Sequence, residues 1–311
     1  MIEMIIESGE GLTGNTPLVE LNRLVPDKLP DFLLKLEYFN PGGSVKDRPA
    51  ENMIIAAEEG GELPAGGGGL IIEATSGNTG IGLARTAAIR GHDCLLVMPA
   101  GASRERRLIM QAFGAELELT PAGEGMKGAY ERCQEIAAGN PRAYWPDQFS
   151  NPANPESHQH STGPEIMEDT GGDFQALIAA AGTGGTITGT GRYLRTKKPD
   201  LDIYTYESEN SPVLSGGEPG EHNIPGTGPG FVPEILQDAI YDEIVLVDES
   251  EVYDIQRQLA LQEGLLLGPS SAGGVLTGLM VAERYSPSDR LVIVAADSGE
   301  RYLSDESDES E

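Results

Sequence analysis

Four short stretches of this chain bring together side chains whose types and spacing could do chemistry. Ala181-Gly182-Thr183-Gly184-Gly185-Thr186 follows an apolar run and opens a helical window. Backbone N–H groups made accessible by glycine, threonine hydroxyls and a helix dipole together suit one phosphate group. Neither nucleotide signature is present: Ile187 breaks G-x-G-x-x-G, and no G-x-x-x-x-G-K-[ST] occurs in the chain. A turn that merely packs tightly would have the same composition. Thr75-Ser76-Gly77-Asn78-Thr79-Gly80 takes the same place after Leu70 to Ala74 and offers three hydroxyls and an amide without a charge. Such a turn suits a small carboxylate, although an N-cap with spare donors would read alike. Asn40-Pro41-Gly42-Gly43-Ser44-Val45-Lys46-Asp47-Arg48 puts a lysine where a helix begins. Lysine there opposes the helix dipole; a desolvated amine at that place gives up its proton readily and can act as nucleophile or base. The ordinary alternative is a surface lysine paired with Asp47. In Gly268-Pro269-Ser270-Ser271 a serine could hold a polar ring atom, but capping the next helix is the better local reading.

All four stretches lie where a strand-like or loop segment gives way to a helix. Apolar runs at Phe32–Leu36, Leu70–Ile72, Cys94–Met98, Leu117–Leu119, Ala176–Ala181, Ile203–Tyr206, Ile244–Val247 and Leu291–Ala295 predict strands. Helices are predicted over Lys46–Glu59, Asn78–Arg90, Ser103–Phe113, Glu124–Ala138, Glu156–Glu168, Gly185–Thr196, Ser250–Glu263 and Ala272–Arg284. Strands apolar on both faces and separated by helices imply an α/β fold of mostly parallel sheets flanked by helices. Two lobes are expected at this length. Residues 36–147 form a smaller lobe with the lysine and the carboxylate loop. Residues 1–35 plus 148–303 form a larger lobe with the phosphate loop, and 304–311 form an acidic tail. The proline-rich 146–155 marks the break between lobes, and 208–233, rich in Gly and Pro without Lys or Arg, is a long loop of functional character.

The 311 residues carry 50 Asp and Glu against 21 Lys and Arg, six of them Lys, for a net charge of -29. That sign repels nucleic acid and anionic membrane surfaces, and its spread along the chain fits a protein kept soluble at high salt. Cys94 and Cys133 are too few for a disulfide framework, and His92, His158, His160 and His222 lack metal-ligand spacing, so no metal is expected. With no targeting signal and no apolar run of about 18 residues, a cytoplasmic soluble protein is expected. One phosphate cradle, one neutral carboxylate cradle and a loop lysine would all be used by a cofactor with a phosphate and an aldehyde acting on an amino acid. Pyridoxal 5'-phosphate has that chemistry.

The same residues resemble the cysteine synthase/cystathionine β-synthase family of fold-type II pyridoxal-phosphate enzymes. The resemblance runs from Gly14-Asn15-Thr16-Pro17-Leu18 to Asp297–Leu303. It includes the four stretches above and Gln148-Phe149-Ser150-Asn151-Pro152-Ala153-Asn154-Pro155. Pro49, Ala74 and Pro269 depart from the family's commoner residues without removing a reacting group. The resemblance implies that Lys46 binds the cofactor aldehyde and that Asn78 meets the ring hydroxyl oxygen. It further implies that Gly182, Thr183, Gly184, Gly185 and Thr186 hold the phosphate, and that Ser270 meets the pyridine nitrogen. Thr75, Ser76, Thr79 and Gln148 would hold the substrate carboxylate. The implied activity is β-replacement, making L-cysteine from O-acetyl-L-serine and sulfide with loss of acetate. The alternatives are an O-phosphoserine sulfhydrylase, a cystathionine β-synthase and, of a different class, a catalytically silent binding protein. A homodimer is implied, with serine acetyltransferase as a candidate partner.

Overall fold

A strand that is apolar on both faces needs cover on both, and the chain meets that demand with two separate sheets. A computed structural model gives the fold, and the structure describes residues 8–236 and 240–303. The acidic segment 304–311 and the opening residues 1–7 lie outside the described residues.

One compact unit contains, among the described residues, 8–13, Asn40–Ala153 and Leu303. Its sheet has four parallel strands, β3 (Leu70–Ala74), β4 (Asp93–Pro99), β5 (Glu116–Thr120) and β6 (Ala143–Tyr144), in the order β5-β4-β3-β6. The helices are α1 (Asp47–Gly60), α2 (Asn78–Arg90), α3 (Arg104–Ala112) and α4 (Gly125–Gly139). Ile71, Leu96 and Met98 pack with Met53, Ile54, Ile81 and Leu83 in one core, while Ile72, Ala74 and Val97 pack with Ala129 and Cys133 in another. Gly61 and Gly91 end α1 and α2 in the left-handed conformation that glycine adopts without strain. The 9–13 segment belongs to this unit because Arg85 donates to the Gly9 carbonyl and to Thr13, whose hydroxyl donates to Glu51 at 2.5 Å.

The other unit contains Gly14–Phe39 and Asn154–Tyr302. Its six strands are β1 (Leu18–Glu20), β2 (Asp31–Leu36), β7 (Ala176–Ile178), β8 (Asp202–Ser208), β9 (Glu243–Val247) and β10 (Arg290–Ala295), ordered β1-β2-β10-β7-β8-β9. Only β1 is antiparallel, pairing Leu18 with Lys35. The helices are α5 (Ala153–His160), α6 (Thr162–Thr170), α7 (Gly185–Lys197), α8 (Glu249–Gln258) and α9 (Pro269–Val281). The core gathers Phe32, Leu34, Ile178, Tyr206, Val247, Val275, Leu291 and Ile293.

Four expectations need correction. The helix expected over 156–168 is two helices broken at Ser161, because Pro164 has no N–H and its ring would meet the carbonyl of His160. The helix expected over 250–263 ends as a wider turn over Leu259–Glu263, with the Gly264 N–H donating to the Leu259 carbonyl. The strand expected over 176–181 leaves the sheet after Ile178, as Ala179–Ala181 run into the glycine turn. The helix expected from Ala272 begins at Pro269, whose fixed φ suits a first helical position.

Candidate active site

Lys46 is the N-cap residue of α1, its backbone N–H donating to Ser44 Oγ at 3.1 Å. Neighbouring Asp47 is fully buried and its carboxylate accepts from the Gly42 N–H. A β-carbon on Gly42 would collide with that carboxylate, which is why the loop needs glycine there. Helix α2 crosses α1 closely: a β-carbon on Gly82 would lie 3.0 Å from the Lys46 carbonyl oxygen. The tight crossing fixes the start of α1, and with it the lysine.

The turn from β3 into α2 lies in the same unit. Gly77 is the N-cap of α2, so none of the hydroxyls of Thr75–Thr79 stands at the cap position itself. Thr75 and Thr79 are buried, while Ser76 and Asn78 are half-buried. Thr75 Oγ1 accepts from the Gly77 N–H at 3.3 Å. Thr79 Oγ1 donates to Gln148 Oε1 at 2.6 Å, which commits the Gln148 amide nitrogen to other acceptors. The structure thus brings Gln148 to the Thr75–Thr79 turn across 69 residues of sequence. A glycine-capped helix start, hydroxyls and an amide donor can together receive one carboxylate.

In the other unit, Gly182–Thr186 joins β7 to α7. Gly184 is the N-cap at φ +86 and, as glycine, brings no capping side chain of its own. Gly182 has to be glycine, since its β-carbon would lie 2.4 Å from the Gly226 carbonyl oxygen. Thr183 Oγ1 accepts from Asn154 Nδ2 at 3.1 Å and from the Gly185 N–H at 3.3 Å, leaving its own O–H to donate. Thr186 Oγ1 lies 3.3 Å from Nε2 of the fully buried His158, whose Nδ1 meets Thr162 Oγ1 at 2.9 Å. Asn154 and His158 shape this cradle from α5, and neither was singled out for that role in the sequence. The Gln148–Pro155 stretch held one signal, because it carries Asn154. Ser270 is the second residue of α9, buried, and Gly268 rather than a serine is the N-cap. The serine-cap expectation is therefore wrong here. The Ser270 carbonyl accepts from the buried Tyr206 hydroxyl, and a β-carbon on Gly226 would come within 3.7 Å of Ser270 Oγ.

Residues 10–297 match the family model described as pyridoxal-phosphate dependent enzyme. The chain belongs to this family. It is 48% identical over 303 residues to a probable cysteine synthase of Bacillus subtilis (strain 168), covering 96% of this chain and 97% of that protein. It is 43% identical over 305 residues to the cysteine synthase of Staphylococcus aureus (strain N315), covering 98% and 97%. Among solved structures, cysteine synthase from Entamoeba histolytica superposes with a TM-score of 0.93 at 39% identity, covering 98% of this chain and 91% of that one. An O-ureido-L-serine synthase superposes with a TM-score of 0.92 at 39% identity, covering 96% and 94%. The family's cofactor is pyridoxal phosphate, and the residues present fit it. A glycine-capped helix start carries Thr183 with an O–H to give, a lysine stands at a helix cap, and a buried serine faces a glycine. No helix among the described residues is long and apolar enough to cross a membrane.

Proposed function

We propose that this chain is a cysteine synthase: it replaces the acetate of O-acetyl-L-serine with sulfide, giving L-cysteine. The observation that carries the reading is the neutral Thr79–Gln148 pair at a glycine-capped helix start, in the unit that also presents Lys46 at a helix cap. Near-full-length similarity to proteins named cysteine synthase supports it. Pyridoxal phosphate supplies an aldehyde for amines and a ring that withdraws electrons from the bonds of the substrate's α-carbon.

The chain's residues then divide the remaining work. Gly182, Thr183, Gly184, Gly185 and Thr186 hold the phosphate, and Asn154 and His158 keep the two threonine hydroxyls aimed. Asn78 meets the ring hydroxyl oxygen and Ser270 the pyridine nitrogen. A serine there, rather than a carboxylate, leaves the ring less electron-withdrawing, which suits loss of a β-substituent. Thr75, Ser76, Thr79 and Gln148 orient the substrate by its carboxylate. Lys46, as a free amine, takes the proton from the α-carbon and later returns one to it. Over the whole reaction the β C–O bond breaks, a C–S bond forms, and acetate leaves.

The alternative donors make different demands. O-phosphoserine would require a cation to meet its phosphate. In the family the 208–233 loop faces the leaving group, and here no Lys or Arg occurs between Lys198 and Arg257. Buried Glu207 anchors this loop by accepting from the Leu214 and Ser215 N–H groups, each at 2.8 Å. A neutral ester suits that setting. We extend the reading to a cytoplasmic, salt-adapted homodimer with serine acetyltransferase as candidate partner; the charge of -29 supports the salt adaptation. The test supplies the purified protein with O-acetylserine and sulfide, and separately with serine and homocysteine. Cysteine in the first mixture supports the proposal; cystathionine alone, in the second, rejects it.

A further inference from the structure

Glu73 lies near the end of β3, two residues ahead of Thr75, and is only 2% exposed. One of its oxygens accepts from the Trp145 indole N–H at 3.4 Å. The other oxygen, Oε2, has no hydrogen-bond partner. The titratable groups that interact with it are Asp147, Cys94 on β4, Tyr130 and Cys133 on α4, and Tyr144 on β6. None of these is a cation. A buried carboxylate with one bare oxygen and an acidic neighbour is costly, whereas the neutral acid is tolerated. Burial first, and the Asp147 charge second, push the Glu73 carboxyl up to about 8.

Trp145, the side chain that Glu73 meets, opens the turn that carries Gln148. Asp147 stands at φ +47, a conformation that L residues adopt only when their surroundings hold them. The next residue is Gln148, which takes the Thr79 hydroxyl. We propose that Glu73 is a positioning residue for substrate binding: as a neutral acid it holds the Trp145–Gln148 turn, and as an anion it weakens the site for a substrate carboxylate. The inference rests on the reading that Thr75–Thr79 and Gln148 receive that carboxylate. It predicts an alkaline limit on substrate binding that originates behind the site.

Trp145 is the only tryptophan in the chain, so its emission reports the proton on its hydrogen-bond partner. In the wild-type holoenzyme, emission titrated from about pH 6 to about pH 10 should show a one-proton transition that Glu73→Gln lacks. The KM for fresh O-acetyl-L-serine, divided by that of Glu73→Gln in the same buffers, cancels the substrate's own titration. That ratio should rise about fivefold between about pH 7 and about pH 9, with the kcat ratio flat. Should Glu73→Gln not fold, loss of a protonated-acid infrared carbonyl band across the same range in wild type replaces it. Absence of any wild-type transition, or the same transition in Glu73→Gln, overturns the inference. Gln148→Ala separates the two claims. An unchanged KM there overturns the carboxylate site and the inference with it. A raised KM there, beside a flat wild-type ratio, overturns the inference alone.

Discussion

In the proposed reading, the starts of α2 and α7 use one device for two different anions. Each follows a parallel strand, and each has a glycine N-cap that brings no capping side chain of its own. The backing differs. Behind α2 stand the Thr79–Gln148 pair and the buried acid Glu73, whereas behind α7 stand Asn154 and the imidazole of His158. A helix start attracts anions in general; the groups behind it decide which anion and at what pH. A second acid can be tolerated behind a site for a single negative charge if it stays neutral. Behind the α7 start, the proposed place of a doubly charged phosphate, there is instead a ring that can only be neutral or positive.

The largest expected effect comes from Lys46, proposed above to bind the cofactor aldehyde. Lys46→Ala should lose about a thousandfold or more in turnover, along with the visible band of the lysine-bound cofactor. A variant that still forms a borohydride-reducible bond to the cofactor would remove Lys46 from its role. The next effect sets the two helix starts against each other. Thr79→Val should raise the O-acetylserine KM roughly tenfold and leave cofactor affinity nearly unchanged, since it removes only the hydroxyl that orients Gln148. Asn154→Ala should do the reverse, weakening cofactor retention on dialysis by roughly tenfold with little change in KM. If both variants move the same quantity, the division of labour between the two starts is wrong. The smallest effect concerns stability. Many ion pairs among the described residues are exposed, such as Arg142–Asp93, so salt should screen like-charge repulsion more than it costs attraction. The melting temperature should therefore climb steadily from low salt to molar KCl, and a flat profile would refute salt adaptation.

Alternation of apolar strands and glycine-ended helices made most of the fold legible, as in Asn78–Arg90 with Gly91 behind it. Short elements were not legible. β1 has three residues and β6 two, and they exist only because neighbouring strands offer partners. The break at Ser161 was encoded by Pro164, and the early start of α9 by Pro269; both were readable but were outweighed by the apolar pattern. At the site, the glycine and hydroxyl stretches announced themselves because they are contiguous. Glu73, His158 and the Thr79–Gln148 pair did not, because what they do depends on neighbours brought in by folding. A glutamate at the end of an apolar strand says nothing of its charge until Trp145 and Asp147 are placed beside it.

The most direct test of the account is steady-state formation of L-cysteine from sulfide by the purified holoenzyme, with O-acetyl-L-serine and with O-phospho-L-serine in parallel. The account predicts a kcat/KM at least about tenfold higher for the acetyl ester, equivalent to roughly 1.4 kcal/mol in the transition state. No cysteine from either donor, or equal or faster turnover of the phosphate ester, would contradict it.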